Sequence, residues 1–128
     1  MRENYNVSIK ETSKALSAKE KIRIKDLSNA INLDAATQEE DKLIIDVDYY
    51  VLLAIHNSKS EERPDYDNIV VVDKGGNKFY TGSTSFMEAL MDILDELNAA
   101  GETDCQIEVY RKESKNYKGK QFLTCSIV

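Results

Sequence analysis

The chain has two cysteines and one histidine in 128 residues. That is too few for a Cys/His zinc site, and Cys105, Cys125 and His56 do not stand at ligand spacing. The two cysteines are expected as buried free thiols, diagonal neighbours on the inner face of one hairpin. No apolar run is long enough to cross a membrane. Met1 to Lys10 holds neither an apolar stretch nor a small-residue cleavage pattern, so no secretory signal is expected and a cytoplasmic location is.

Catalytic constellations are scarce as well. His56 has no serine or cysteine arrangement beside it that would define a nucleophile and its base. Gly75-Gly76 lacks the following Lys-Ser or Lys-Thr of a P-loop and reads as a turn. Asp46 and Asp48 share a strand face without a third ligand; a metal cluster would need Glu108 to pair in from another strand, which places a metal-dependent nuclease last among the readings. The chain is expected to be non-enzymatic, with no metal and no cofactor.

What is present is enough apolar material for one core, with 41% hydrophobic residues, and charge that is unevenly spread. The net charge of −6 opposes a polyanionic ligand. Yet Lys10 to Lys25 holds six cations and two anions, and Tyr110 to Phe122 five cations and one anion, while Asp34 to Glu108 holds eighteen acidic and five basic residues. Such segregation favours a basic groove with an acidic back.

The richest segment is Thr103 to Val128. Pairing Ile107 with Cys125, Val109 with Leu123 and Cys105 with Ile127 makes a hairpin whose inner face is wholly apolar, and a slip of one residue would destroy that face. The outer face then sets Tyr110 opposite Phe122 and Lys112 opposite Lys120, with Lys115, Tyr117 and Lys118 at the tip. Exposed rings beside cations suit a single-stranded nucleic acid, whose bases stack and whose phosphates seek lysine. An ordinary aromatic pair shielding a sheet surface would leave the same pattern.

Elsewhere, residues 1–18 read as an irregular arm with a short strand at Asn6 to Lys10, and residues 19–128 as one domain. Lys21-Ile22-Arg23-Ile24-Lys25 alternates like a half-buried strand, with both isoleucines inward and Lys21, Arg23 and Lys25 outward to extend the groove. Leu33 to Asp41 reads as a polar connection. Lys42 to Asn57 is the longest strand, with Ile45, Val47, Tyr49, Val51, Leu53 and Ile55 forming one apolar face. The other face changes from Asp46 and Asp48 to Tyr50, Leu52 and Ala54, as in a strand serving two parts of a curled sheet. A charged loop with the only proline, Pro64, precedes a hairpin over Ile69 to Thr81 that turns at Gly75-Gly76. Ser85 and Glu88 form a capping box for a helix from Phe86 to Ala99, acidic outside at Glu88, Asp92, Asp95 and Glu96 and stopped by Gly101. Five or six strands and one α-helix give a mainly β fold: a small curled antiparallel sheet or OB-like barrel, with a flat sheet on the helix as the alternative.

Several stretches resemble the small single-stranded DNA-binding proteins of tailed bacteriophages. They are Ala18-Lys19-Glu20-Lys21 with Lys25-Asp26-Leu27-Ser28-Asn29-Ala30, then Val51-Leu52-Leu53-Ala54-Ile55-His56-Asn57, and Ser114-Lys115-Asn116-Tyr117-Lys118-Gly119-Lys120 with Phe122-Leu123-Thr124-Cys125-Ser126. The resemblance runs from Ala18 to Val128 and rests on the order of elements and the closing hairpin. It implies an OB-like domain that coats exposed strands during phage DNA replication or recombination, without sequence preference or cofactor, using Lys115, Tyr117, Lys118 and Lys120. Bacterial proteins of this function end in an acidic tail that recruits partners; here the expected last strand ends at Val128, which departs from that pattern.

The expected partner is therefore single-stranded DNA, with replication or recombination proteins as further candidates, no membrane, and a homodimer left open by the edges of an unclosed barrel. The alternative is a phage-encoded interaction or inhibitor module acting through its acidic face.

Overall fold

The long strand expected at Lys42–Asn57 forms with those bounds and organises the sheet. The computed structural model describes residues 5–58, 64–114 and 119–128. In order, the elements are β1 (Tyr5–Thr12), α1 (Ala18–Lys25), β2 (Ile31–Asn32), α2 (Leu33–Glu39), β3 (Lys42–Asn57), β4 (Asp65–Asp73), β5 (Lys78–Thr81), α3 (Thr84–Ala99), β6 (Cys105–Glu113) and β7 (Gln121–Ile127).

Strand β3 is shared by three neighbours. On one edge β4 pairs with it from Val47 to His56; on the other, β6 takes Lys42 to Val47 and β1 takes Val51 to Asn57. The sheet runs β2-β5-β4-β3-β6-β7, antiparallel apart from the short β2–β5 pair, and curls strongly into a half-barrel. From β3 onward, a three-strand meander, a helix and a hairpin returning to β3 trace the path of an OB-like barrel. No β5–β7 pairing closes it among the described residues. The fold is mainly β and OB-like, with three helices instead of the single one expected.

The two faces of β3 exchange roles at a bulge. Val47 stands opposite Asp73 and Tyr49 opposite Val72, so Asp48 is the extra residue. Before it, Ile45 and Val47 enter a core with Phe86 and Leu90 of α3 and Leu33 of α2; after it, Tyr50 enters that core. Val51, Leu53 and Ile55 turn to the opposite face and pack with Val70, Val72 and Ile24. The single apolar face expected along the odd positions is thus two half-faces serving two cores.

The second core depends on α1, where a strand was expected. Ser17 caps this helix: its hydroxyl accepts from the Glu20 amide at 3.2 Å, and its own amide donates to Glu20 Oε1 at 3.1 Å. Five alternating residues fit either period, and this box decides for the helix. Ile24 is therefore 2% exposed and Ile22 is 70% exposed, where both were expected inward. Lys78 closes the other end, donating to the carbonyls of Arg23 and Asp26 at 2.8 and 2.6 Å.

Two further expectations change. The expected arm holds β1, which pairs along β3 and belongs to the sheet, and the expected polar connection holds α2, capped by Asn32. For α3, Ser83 is the cap, accepting from the Phe86 amide at 3.3 Å, while Ser85 donates instead to the Leu123 carbonyl at 2.7 Å. The stop at Gly101 stands: at φ +73 it lets the Glu102 amide reach the Leu97 carbonyl at 2.9 Å. The Gly75-Gly76 turn also forms, with Gly76 at φ +86.

Candidate nucleic-acid interface

The β6–β7 hairpin keeps its expected faces in a register moved by two residues. Ile107 pairs with Ile127, Val109 with Cys125, Tyr110 with Thr124 and Lys112 with Phe122. A two-residue slip preserves which side chains point inward, so hydrophobic pattern alone does not distinguish the registers. The turn decides: the Ser114 amide donates to the Lys120 carbonyl at 2.9 Å, and Gly119 takes φ +81. Tyr110 and Phe122 become diagonal neighbours, and Lys112 faces Phe122 instead of Lys120. Cys105 and Cys125 are no longer diagonal; both are buried free thiols, and burial pushes Cys125 up to about 12.

The outer face continues onto β3, which sequence reasoning missed. Lys42 stands opposite Tyr110 and Ile44 opposite Glu108, because β6 pairs with the first half of β3. No local signal announces that long-range pairing. Across three strands, the rows are Lys42, Tyr110, Thr124; then Ile44, Glu108, Ser126; with Lys112 and Phe122 beyond. Ile44 is 49% exposed and Phe122 37%. The Tyr110 hydroxyl shares a hydrogen bond with the Ser126 hydroxyl at 2.7 Å, which pins the ring across the hairpin. Lys42 reaches Glu108 at 3.5 Å, so the one carboxylate in these rows is neutralised. The result is a half-apolar platform with cations at its margin: Lys42, Lys112 and the exposed Lys120.

Lys115, Tyr117 and Lys118 lie outside the described residues. Arg111 points inward, donating from Nε to the Thr37 hydroxyl at 3.1 Å and from Nη2 to the Asp34 carbonyl at 2.6 Å, so it fastens α2 over the barrel.

Lys21, Arg23 and Lys25 are exposed but do not extend this platform. They sit on α1, which lies over the second half of β3. Along the outer face, β3 presents Lys42 and Ile44, then Asp46 and Asp48, and only then the residues under α1. The two carboxylates interrupt the expected groove. Asp46 is 3.7 Å from Lys74, which also meets Asp104 at 3.0 Å; Asp48 is 3.9 Å from Lys14. The Lys14 ammonium is also 4.7 Å from the centre of the Tyr49 ring. Helical geometry divides the three cations as well, with Lys21 and Lys25 one turn apart on one side and Arg23 on another. Arg23 lines a separate cleft of about 570 Å³ of mixed charge, with Glu20, Asp48, Lys74 and Lys78.

Asp46, Asp48 and Glu108 do not gather around a common point for a metal: among the described residues no group of three or more metal-binding side chains forms, and each of the three has a lysine beside it. His56 instead meets Asp65, Nδ1 to Oδ1 at 2.6 Å. No helix among the described residues is long and apolar enough to cross a membrane.

The platform is thus two aromatic rings and an aliphatic side chain held on a rigid sheet, edged by ammonium groups and set apart from the acidic α3. Compared with protein-family models, with curated proteins and with solved structures, the chain matches none.

Proposed function

We propose that the protein binds single-stranded DNA without sequence preference through the outer face of β3, β6 and β7, and coats exposed strands during phage replication or recombination in the host cytoplasm. The observation that carries this reading is the diagonal pair Tyr110 and Phe122 on an exposed sheet face, with Lys42 and Lys112 beside them. Bases stack on the rings, and the lysines track phosphates. This needs no cofactor and no chemistry. The DNA path lies on β6–β7, because α1 occupies the outer face of β4 where Val70 and Val72 lie. Lys21, Arg23 and Lys25 contribute at most a distant field, screened within about 10 Å at ordinary salt.

The test is fluorescence anisotropy of a labelled thymidine oligonucleotide at low and physiological salt, with duplex and RNA as competitors. Tyr110→Ala and Phe122→Ala should each weaken binding roughly 5- to 150-fold at every salt concentration, from about 1–3 kcal/mol per stacked base. Lys112→Ala should instead flatten the salt slope by about 0.7. Unchanged affinity in all three variants would remove the assignment of this face.

One observation favours the second reading, an interaction module. Glu88, Asp92, Asp95 and Glu96 are exposed on α3, and none of them is ion-paired among the described residues. That reading predicts little DNA affinity and loss of partner binding on charge reversal at Asp92, Asp95 or Glu96.

A further inference from the structure

Between Val47 and Val51 the edge of β3 passes from one neighbour to another: Cys105 of β6 stands opposite Val47, and Thr12 of β1 opposite Val51. Ser13 fills part of the gap, its hydroxyl accepting from the Tyr50 amide at 3.0 Å. Helix α3 packs along β7, and its other flank leaves a cleft of about 320 Å³ over this junction. Buried Val47, Tyr50 and Cys105 form the floor, and half-buried Met91, Leu94 and Leu97 form one wall. Asp48, Asp95 and Glu102 line the cleft as well, and among the described residues no cation does. Asp48 has Lys14 at 3.9 Å, but Asp95 and Glu102 have no ion pair among the described residues. Leu97 and Asn98 belong to the last turn of α3, which carries no basic residue, so the negative end of the helix dipole lies here too.

The complementary surface stands on α1. Ile22, at 70%, is the most exposed large hydrophobic residue among those described. Lys19 and Lys25 lie three positions to either side, so the helix brings both to the face that Ile22 occupies. Both are exposed, and neither has an ion pair among the described residues. Within one chain the two surfaces do not meet, because α1 and α3 cover opposite faces of β3. We propose that the cleft of one molecule receives α1 of a second copy, with Ile22 entering beside Met91, Leu94 and Leu97 and with Lys19 and Lys25 meeting Asp95 and Glu102 at the rim. Charge complementarity selects this occupant: the chain's net charge of −6 opposes any general association of copies, and α1 carries the opposite sign around an unburied aliphatic side chain. The contact joins two different surfaces, so each added copy leaves a free cleft at one end and a free α1 at the other, and association proceeds head to tail. It makes no use of Tyr110, Phe122 or DNA.

Sedimentation velocity of the full chain, without nucleic acid, at rising concentration and at low and physiological salt tests this contact. The sedimentation coefficient should rise with concentration and fall with salt. Ile22→Ala should weaken association at least about tenfold with an unchanged far-ultraviolet circular dichroism spectrum. Two charge-swapped variants, Lys19→Glu/Lys25→Glu and Asp95→Lys/Glu102→Lys, should each stay monomeric alone and associate when mixed, since each supplies the surface that the other's reversed charges require. Recovery on mixing is a result that misfolded variants do not give. A monomer at every concentration in low salt, association untouched by Ile22→Ala, or no recovery in a mixture of folded variants would overturn the proposal. So would a monomeric chain that binds an end-blocked arginine-rich peptide and loses it in Asp95→Lys/Glu102→Lys, since the cleft would then belong to a different protein. No nucleic acid is present, so failure here leaves the thymidine titration to decide the DNA reading.

Discussion

Replacing Ile24 and Ile22 one at a time distinguishes a helix from a strand at the segment that covers the second core. A strand at Lys21 to Lys25 would bury both side chains and make the losses alike. In α1 they point about 160° apart, since the two positions differ by two residues at 100° each. Ile24 is 2% exposed against Val51, Leu53, Ile55, Val70 and Val72, whereas Ile22 is 70% exposed. Ile24→Ala removes three carbons, worth about 0.8 kcal/mol each in transfer, and leaves a void between helix and sheet, for a total of about 2–4 kcal/mol. Ile22→Ala gives up little contact and gains some helix propensity, so it should stay within about 0.5 kcal/mol of the parent. Urea unfolding followed by far-ultraviolet circular dichroism measures both, with the slope m checked for constancy. Losses of similar size would refute the helix, and a small loss at Ile24 would refute the packing of α1 on the sheet.

Glu20 gives a pH signature of the same helix. Its carboxyl is held below the usual range chiefly by the Ser17 amide and then by the Ser17 hydroxyl, so the stabilisation of its charged form is present above about pH 4.5 and is lost as pH falls through the lower folded value. The stability gap between the parent and Glu20→Gln should therefore be open at neutral pH and close in acid, as read by thermal melts across pH. Tyr50 marks the alkaline side: burial, then its hydrogen bond to Glu11 at 2.7 Å, raises it to about 12, so the stabilisation it confers is complete below its ordinary value of about 10 and is lost as pH rises through about 12. Spectrophotometric titration should show this phenol ionising last, and Tyr50→Phe should remove its share of the alkaline loss. Arg111→Met, which strips the Asp34 carbonyl and the Thr37 hydroxyl of a charged donor, should cost about 2 kcal/mol in urea unfolding.

Strand β3 and helix α3 were legible because long patterns leave little ambiguity: sixteen residues rich in Ile, Val, Leu and Tyr, and an apolar stripe ended by Gly101. The hidden features are those that parity and short windows do not encode. One extra residue at Asp48 inverts every later side chain of β3 without any local mark. The hairpin register differed by two, an even slip that hydrophobic alternation tolerates, and the turn bond from Ser114 to Lys120 fixes it. For α1 the signal was present but passed over, since Ser17 and Glu20 stand at capping-box spacing just ahead of the alternating run. Of the candidate site, Tyr110, Lys112 and Phe122 were placed on the correct face. Lys42 and Ile44 were not seen because they join it through a pairing that reaches across about half the chain, and Lys21, Arg23 and Lys25 were assigned to the wrong kind of element.

The sharing of β3 among β1, β4 and β6 also sets an order of events when the chain is synthesised. Its second half finds both neighbours as soon as β4 has emerged, but its first half has no partner on the β6 side until Cys105 to Tyr110 is made. Through that interval Lys42 to Val47 presents an unpaired edge, and the first core lacks β6, β7 and the surface that α3 packs against. Closing contacts of such long sequence separation is slow relative to helix or hairpin formation. Newly made chains should therefore accumulate first as a β1–β3–β4 nucleus with α1 docked, and complete the half-barrel in a later, slower phase.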